Sequence, residues 1–149
     1  MSMLLYKPME NVIKYYLEKK EDNYFFYAKN NGKQVGYLWF TLNKDEAFLH
    51  YIEVNEEARC KKIGSNLLKC LEKFCKENHK DHIEGKFYPV GISMEHALAF
   101  YKRNGYHHMY DDYDQIITKS FYISNRSTAN VHYIDTRKEF ITKVNGRIF

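Results

Sequence analysis

The sequence predicts an α/β (α+β) domain in which helices flank a central mixed, mostly antiparallel, twisted sheet of about seven strands. Three strand-like runs joined by short polar turns occupy residues 24–54, a pattern typical of an antiparallel meander. A helical pattern of crossover length then leads to another strand, which is expected to lie parallel to the last strand of the meander. A second helix and two more strands complete the predicted domain.

The composition is that of a soluble globular protein with one domain. The chain has 149 residues, of which 44% are hydrophobic and 28% charged, and 14 Tyr and 10 Phe supply many aromatic rings. No apolar run approaches the roughly 18 residues of a membrane span, and the first residues lack a signal-peptide pattern, so we expect a cytoplasmic protein. The net charge of +4 is modest for a nucleic-acid binder but sufficient for binding a phosphorylated small molecule.

The cysteines point to a reducing compartment. They are odd in number, and the spacings of Cys60, Cys70 and Cys75 match neither a zinc framework nor a redox pair. We therefore expect three free thiols and no disulfide.

The first part of the chain is predicted to contain one helix among four strands. Residues Met9 to Lys20 place Val12, Ile13, Tyr16 and Leu17 at helical spacing, which predicts an amphipathic helix. The predicted strands are Leu4–Tyr6, Tyr24–Lys29, Gln34–Leu42 and Glu46–Val54. Turns at 30–33 and 43–45 connect the last three of these strands.

The second part alternates helices and strands. A helix after Gly64 has one apolar stripe and ends near 78–80, and a second helix at Ser93–Arg103 is ended by Gly105. The predicted strands are His82–Phe87, Tyr106–Tyr110, Gln115–Ile123 and Val131–Asp135, while 137–144 fits helix or strand equally well. The polar stretch 124–130 is a candidate linker, so we expect a domain over 1–123 and a C-terminal extension over 124–149 that packs on the domain or on an oligomer edge.

A basic turn precedes the first of these two helices. Arg59, Lys61 and Lys62 lie directly before Ile63 and Gly64, where the helix begins. A helix N-terminus carries unpaired N–H groups and a partial positive charge, and a Gly lets a phosphate approach them closely. The turn therefore predicts a phosphate-binding site, whereas a merely solvated basic turn would not require the Gly.

Two motifs in register resemble the GNAT superfamily of acyl-CoA-dependent N-acetyltransferases. The first is Arg59-Cys60-Lys61-Lys62-Ile63-Gly64, followed by Ser65, and the second runs from Ala97 through Tyr101 and Gly105 to Tyr106. The resemblance covers residues 4–122. Lys62 replaces the first Gly of the family motif, so either this position is not left-handed or the turn is remodelled. Met94 replaces the Asn of the second motif.

The resemblance implies acetyl-CoA as co-substrate, without a metal. Strands 4 and 5 should splay after a small bulge, and the acyl-pantetheine should lie between them with its amide on the backbone of Val54. The pyrophosphate should bind the N–H groups of Cys60, Lys61, Lys62, Ile63, Gly64 and Ser65. Arg59 or Arg103 would reach other phosphates, and Ser93, beside Met94, would replace the missing Asn contact.

The implied reaction is direct attack of an amine on the thioester in a ternary complex. Tyr101 occupies the family's general-acid position, although without the motif it would be a core tyrosine. His50 is the candidate base, because strand alternation is expected to place it on the same face as Val54, and a hydrogen-bonded core histidine is the alternative. Glu84 is the second candidate base, and Glu53 is expected to face away.

The acceptor amine stays open between a small amine, an antibiotic, a polyamine, a peptide N-terminus and a lysine. Asp111, Asp112 and Asp114 form an acidic turn that would contact a cationic amine or would simply be solvated. His107 and His108 are adjacent on a strand and should point to opposite faces, which argues against a metal site. The alternative function is a non-catalytic acyl-CoA-binding or partner-docking module, and a homodimer is compatible with either.

Overall fold

Four antiparallel strands joined by short turns begin the part of the chain that the structure describes. This part comprises residues 12–59, 62–110, 113–122 and 131–137 of a computed structural model. The strands are β1 (Ile13–Lys20), β2 (Asn23–Asn30), β3 (Lys33–Leu42) and β4 (Glu46–Val54). Asn31 and Gly32 connect β2 to β3 with φ of 52° and 83°, the two positive values that a tight hairpin turn requires. The predicted meander from β2 to β4 is confirmed.

The helix predicted from Met9 to Lys20 is wrong over Ile13–Lys20, which is β1. Tyr15 and Leu17 are buried while the residues between and around them are more exposed, so burial follows the two-residue period of a strand. All eight residues of β1 pair with β2 across the turn at Glu21 and Asp22. This long ladder outweighs the local helical spacing. The predicted strand Leu4–Tyr6 and residues 9–11 lie outside the described residues.

The crossover after β4 follows the prediction. A 3₁₀ turn (Glu56–Ala58) leads to α1 (Ile63–Glu77), and β5 (His82–Lys86) returns parallel to β4. The remaining elements are α2 (Met94–Arg103), β6 (His107–Tyr110), β7 (Gln115–Ser120) and β8 (Tyr133–Asp135).

The described strands form one eight-stranded sheet in the order β6-β7-β5-β4-β3-β2-β1-β8. Only the pairs β4–β5 and β1–β8 among these strands are parallel, so the sheet is mixed and mostly antiparallel, as predicted. The predicted strand Val131–Asp135 is confirmed over its last three residues, at the sheet edge beside β1. The candidate linker 124–130 and residues 138–144 lie outside the described residues.

The hydrophobic core lies between α1 and one face of the sheet, which we call the helix face. Leu17, Phe26, Leu38 and Phe40 on the strands are fully buried against the apolar stripe of α1. The stripe consists of Ile63, Leu67, Leu68, Cys70, Leu71, Phe74 and Cys75. The opposite face carries a row of stacked rings, and we call it the aromatic face: Phe25, Tyr27, Tyr37, Trp39, Phe48, His50 and Tyr51.

Candidate functional site

Strands β4 and β5 separate in the middle of the sheet. They pair from Glu46 opposite His82 to Leu49 opposite Gly85, and β4 then continues to Val54 without β5 beside it. A β-bulge lies at the same point, because Phe40 pairs with Leu49 whereas Trp39 pairs with Tyr51. The predicted bulge and the splay of strands 4 and 5 are confirmed.

His50 is the extra residue of this bulge, and its side chain lies on the aromatic face. Its Nε2 is 2.7 Å from the Thr41 hydroxyl, and its ring stacks on Trp39 at a centroid distance of 4.5 Å. Val54 lies on the helix face, where its side chain approaches Gly36 and Gly64. The expectation that His50 and Val54 share a face is therefore wrong, because the bulge inverts the alternation of β4.

Glu84, the second candidate base, and Glu53 both lie on the face that carries His50. Glu84 is opposite Phe48 in the β4–β5 ladder, next to the last paired residue, Gly85. Glu53 is opposite Tyr37. The bulge thus also overturns the expectation that Glu53 faces away from His50. Partial burial lowers the pKa of the His50 imidazole below its usual value of 6.5, so the ring is neutral at pH 7 and can accept a proton.

The N-terminus of α1 has the geometry expected of an anion site. Lys62 precedes the helix with φ 59° and ψ 19°, so it adopts the left-handed conformation despite its side chain. The first of the two expectations, that this position is not left-handed, is therefore wrong. No side-chain cap from the described residues occupies the helix start, and the first intrahelical bond is donated by Asn66 to Lys62. The N–H groups of residues 63–65 consequently have no partner within the helix.

The other residues of the predicted turn contribute differently. The Nε of Arg59 donates to the carbonyl oxygen of Val54 at 3.4 Å, so this side chain folds back onto the end of β4. The Ser65 hydroxyl accepts from the Asn104 amide at 3.1 Å and links the two helices. Cys60 and Lys61 lie outside the described residues.

Gly64 lies at a tight contact between the two helices. A Cβ atom there would lie 3.1 Å from the Phe100 ring of α2 and 3.7 Å from Val54. The Gly therefore lets α2 approach the end of β4 and the start of α1. Sequence reasoning assigned this Gly to phosphate approach and missed the packing role, for which a single sequence offers no signal.

Tyr101 projects from α2 into a cluster of rings. Its centroid is 5.1 Å from that of Phe87, the residue that follows β5, and 5.2 Å from that of Phe100. The side chain is only 6% exposed, and burial raises the pKa of its phenol to about 12. Tyr101 is therefore protonated throughout the physiological range and lies on the helix face, beside the separated strands.

Other predicted cofactor contacts lie at the two ends of α2. The Ser93 hydroxyl accepts from the His96 N–H at 3.1 Å and so caps the helix. Met94 is the first residue of the helix and is 38% exposed. Arg103 is exposed in the last turn.

The acidic turn is partly engaged in the protein's own contacts. Asp114 forms an ion pair with Lys86 at 3.1 Å and accepts a hydrogen bond from the Tyr88 hydroxyl. These two partners lower the pKa of the Asp114 carboxyl, the Tyr88 hydrogen bond most strongly. Asp111 and Asp112 lie outside the described residues.

Three further expectations concern the cysteine thiols, metal ions and membrane-spanning helices. Cys70 and Cys75 are free and fully buried, and burial raises the pKa of each thiol to about 12. No group of three or more His, Cys, Asp and Glu side chains in the described ranges is arranged to hold a metal ion. None of the helices in those ranges has the length and apolar character needed to cross a bilayer.

The aromatic face was not predicted, although β3 carries a signal for it. Tyr37 and Trp39 alternate with Leu38 and Phe40 in the run QVGYLWF. Two-residue alternation sends the first pair to one face and the second pair to the other. Both faces of this strand are therefore apolar, which indicates a second surface beyond the core.

Comparison with known proteins identifies the family. The profile described as the Acetyltransferase (GNAT) family matches residues 4–106. An uncharacterized N-acetyltransferase of Methanocaldococcus jannaschii is 29% identical over 98 residues. The aligned region is 61% of this chain and 42% of the relative, so the chain spans less than half the length of that relative.

Solved structures share the fold. A PaiA N-acetyltransferase from Thermoplasma acidophilum in complex with coenzyme A has a TM-score of 0.60 at 24% identity, covering 67% of this chain and 62% of its own. A Bacillus subtilis acetyltransferase in complex with CoA has a TM-score of 0.61 at 15% identity, covering 74% and 100%. The Escherichia coli ribosomal-protein-S18-alanine N-acetyltransferase has a TM-score of 0.58 at 21% identity, covering 77% of each chain. The family profile covers more than half of the chain, the sheet splays as expected, and the chain therefore belongs to the GNAT family of acetyltransferases.

Proposed function

We propose that the protein is an N-acetyltransferase that moves the acetyl group of acetyl-CoA to an amine by direct attack in a ternary complex. The observation that carries this proposal is the separation of β4 from β5 beyond Leu49 and Gly85. Two groups suited to proton transfer flank this separation on opposite faces of the sheet. His50 lies on the aromatic face, and Tyr101 lies on the helix face.

The residues present fit a coenzyme A molecule. The uncapped N-terminus of α1 offers the N–H groups of residues 63–65 to a pyrophosphate, and the helix dipole favours the negative charge there. The backbone of β4 near Val54, free of β5, offers hydrogen-bonding groups to the pantetheine arm. The coenzyme, when bound, supplies an activated acyl thioester. Two of the structural neighbours are complexes with coenzyme A, which supports this assignment.

Two proton transfers would involve the chain's own residues, one to His50 and one from Tyr101. The acceptor arrives as an ammonium and loses one proton to His50, with Glu84 as the second candidate on the same face. The amine nitrogen then forms a bond to the acetyl carbon and releases its second proton to solvent, and the carbon–sulfur bond breaks. Tyr101 donates its proton to the departing thiolate and is reprotonated by solvent. The balanced reaction yields the acetylated amine, CoA thiol and one proton.

The buried phenol of Tyr101 suits its proposed task. A pKa of about 12 keeps the phenol protonated at any pH at which the enzyme works. The same apolar surroundings would raise the pKa of a thiol placed beside it, which offsets the effect of the raised phenol pKa on the proton transfer. Burial therefore maintains the acid in its donor form.

The geometry also bears on the alternative of a non-catalytic module. That alternative rests on Lys62 and Met94, which depart from the family motifs, and on the basic residues of the C-terminal extension. Lys62 nevertheless takes the left-handed conformation at the start of α1, so its side chain leaves the proposed phosphate site formed. An acyl-CoA-binding module would use the same phosphate site, so turnover of an amine is the measurement that separates the two functions.

The catalytic proposal is tested by CoA release from acetyl-CoA with a panel of amines. Removing a general acid costs about 10²- to 10⁴-fold in rate, so Tyr101→Phe should lower kcat by at least about 100-fold. Tyr106→Phe is the matched control. The Tyr106 ring is also buried, 6.0 Å from the Tyr101 ring between centroids, but its hydroxyl donates to the Glu72 carboxylate. Equal turnover in wild type and Tyr101→Phe would contradict the acid assignment. If no amine causes CoA release, the proposed acetyltransferase activity is contradicted.

A further inference from the structure

We propose that the acceptor is an aliphatic diamine or polyamine, and that its distal ammonium binds over Tyr37 and Tyr51 beside the carboxylate of Glu53. This inference rests on the proposed function and specifies its acceptor class. We call these three residues the cation subsite. It lies on the aromatic face, on the same side of the sheet as His50 and Glu84.

The two tyrosines form an open aromatic corner. Their ring centroids are 5.7 Å apart, and the planes are inclined by 39°, so an ammonium can contact both faces. Tyr51 is 38% exposed, and Tyr37 is half-buried against Tyr27 at 6.4 Å. The corner is therefore open to solutes through the exposed Tyr51 ring.

Glu53 supplies the charge of this corner. It pairs directly with Tyr37 across β3 and β4, and its carboxylate is exposed. After burial, the Glu53 carboxylate is the largest cause of the raised pKa of the Tyr37 phenol, followed by Tyr51 and Tyr27. None of the causes is a cation. Within the described residues, no ion pair neutralises the Glu53 carboxylate.

The part of the aromatic face near His50 also carries a negative charge, that of Glu84. Glu84 has no ion-pair partner within the described ranges, and Lys86, two residues further along β5, is paired with Asp114. His50 is neutral at pH 7 because burial lowers its pKa. A cationic amine is thus attracted both to the proposed base and to the cation subsite, whereas an anionic or neutral acceptor gains nothing from either charge.

The distance between His50 and the cation subsite determines which length of diamine fits. Glu53 lies three residues beyond His50, about 10 Å along an extended strand and somewhat less across the bulge. Two nitrogens separated by a chain of several methylenes span such a distance, whereas those of diaminopropane are too close together. The apolar ring of Trp39 lies beside His50, opposite Tyr51, and would contact the methylenes between the two ends.

The inference is tested with diaminohexane, hexylamine and diaminopropane as acceptors at saturating acetyl-CoA. We expect kcat/KM for diaminohexane to exceed that for hexylamine by about tenfold, with diaminopropane close to hexylamine. Glu53→Gln and Tyr51→Ala should each bring the ratio of diaminohexane to hexylamine towards one. Glu18→Gln is the control, because Glu18 acts on Tyr27 at the far side of the same face. It should leave the ratio unchanged.

A binding measurement separates the failure of this inference from the failure of the proposed function. Titration of spermidine into the protein by calorimetry should give binding that Glu53→Gln weakens about tenfold and Glu18→Gln does not. Equal kcat/KM for diamine and monoamine, with no effect of Glu53→Gln, would overturn the cation subsite while leaving the acetyltransferase in place. Spermidine binding that depends on Glu53 without turnover of any amine would support the subsite and contradict the enzyme. If the protein neither binds spermidine through Glu53 nor turns over any amine, both the cation subsite and the acetyltransferase proposal are overturned.

Discussion

The carbonyl oxygen of Leu49 lies 2.8 Å from the position that a Cβ atom on Gly85 would occupy. These two residues form the last pair between β4 and β5, and the strands separate directly beyond them. The missing side chain at Gly85 thus lets the strands stay paired up to the bulge at His50 and part there. The apex of the proposed active site depends on this contact.

Gly85→Ala should damage both stability and activity. The added methyl group would meet the Leu49 backbone, which cannot move aside as a flexible side chain can. Overpacking of this kind costs about 1–3 kcal/mol, of which the lower entropy of the unfolded Ala chain returns less than 1 kcal/mol. Urea unfolding should therefore show a loss of about 1–2 kcal/mol, together with reduced turnover. A variant as stable and active as wild type would mean that the strands tolerate wider separation.

Lys62→Gly should stabilise the protein. Lys62 holds φ at 59°, a conformation that costs a residue with a Cβ about 1 kcal/mol and costs Gly almost nothing. Lys62→Ala is the control, because it removes the same charged side chain but keeps the strain. We expect the free energy of unfolding of the Gly variant to exceed that of the Ala variant by about 1 kcal/mol. Equal stability of the two variants would argue against a left-handed residue at this position.

His50 should make stability depend on pH. Burial lowers its pKa in the folded protein below 6.5, so the unfolded chain binds more protons as the pH falls through that value. The free energy of unfolding should therefore decrease from about pH 6.5 downwards and level off below the folded pKa. His50→Gln lacks this component, so the difference between the two proteins should shrink in that window. A difference that is constant from pH 7.5 to 5 would show that His50 titrates normally.

The buried thiols should be unreactive in the folded protein. Cys70 and Cys75 are fully buried with pKa values of about 12, and the thiolate is the reactive form. Titration with a disulfide reagent should detect at most one of the three thiols per native chain and all three after denaturation. Rapid reaction of two or more native thiols would contradict the burial of the α1 stripe.

The sequence predicts most of this fold because local and long-range preferences agree in most elements. β2, β3 and β4 combine apolar alternation with turn residues such as Gly32, and α1 has a continuous apolar stripe. In β1 the two disagree. The spacing of Ile13, Tyr16 and Leu17 fits a helix, but pairing with the whole of β2 decides the outcome.

The site was less predictable for a specific physical reason. One extra residue at His50 inverts the facing of every later side chain in β4, and nothing in the local sequence marks a bulge. Residues tied to a motif, such as Lys62 and Tyr101, could be placed without knowing the sheet register. Predicting the aromatic face would have required the sheet register. Tyr37 lies on β3, whereas Tyr51 and Glu53 lie on the neighbouring β4, so their contact depends on how the two strands pair.

Calorimetric titration with acetyl-CoA is the decisive experiment, since a ternary complex requires the protein to bind the coenzyme before any acceptor reacts. We expect saturable binding of one acetyl-CoA per chain, retained in Tyr101→Phe and weakened in Gly85→Ala. Absence of saturable binding to the folded wild-type protein would contradict the proposed function.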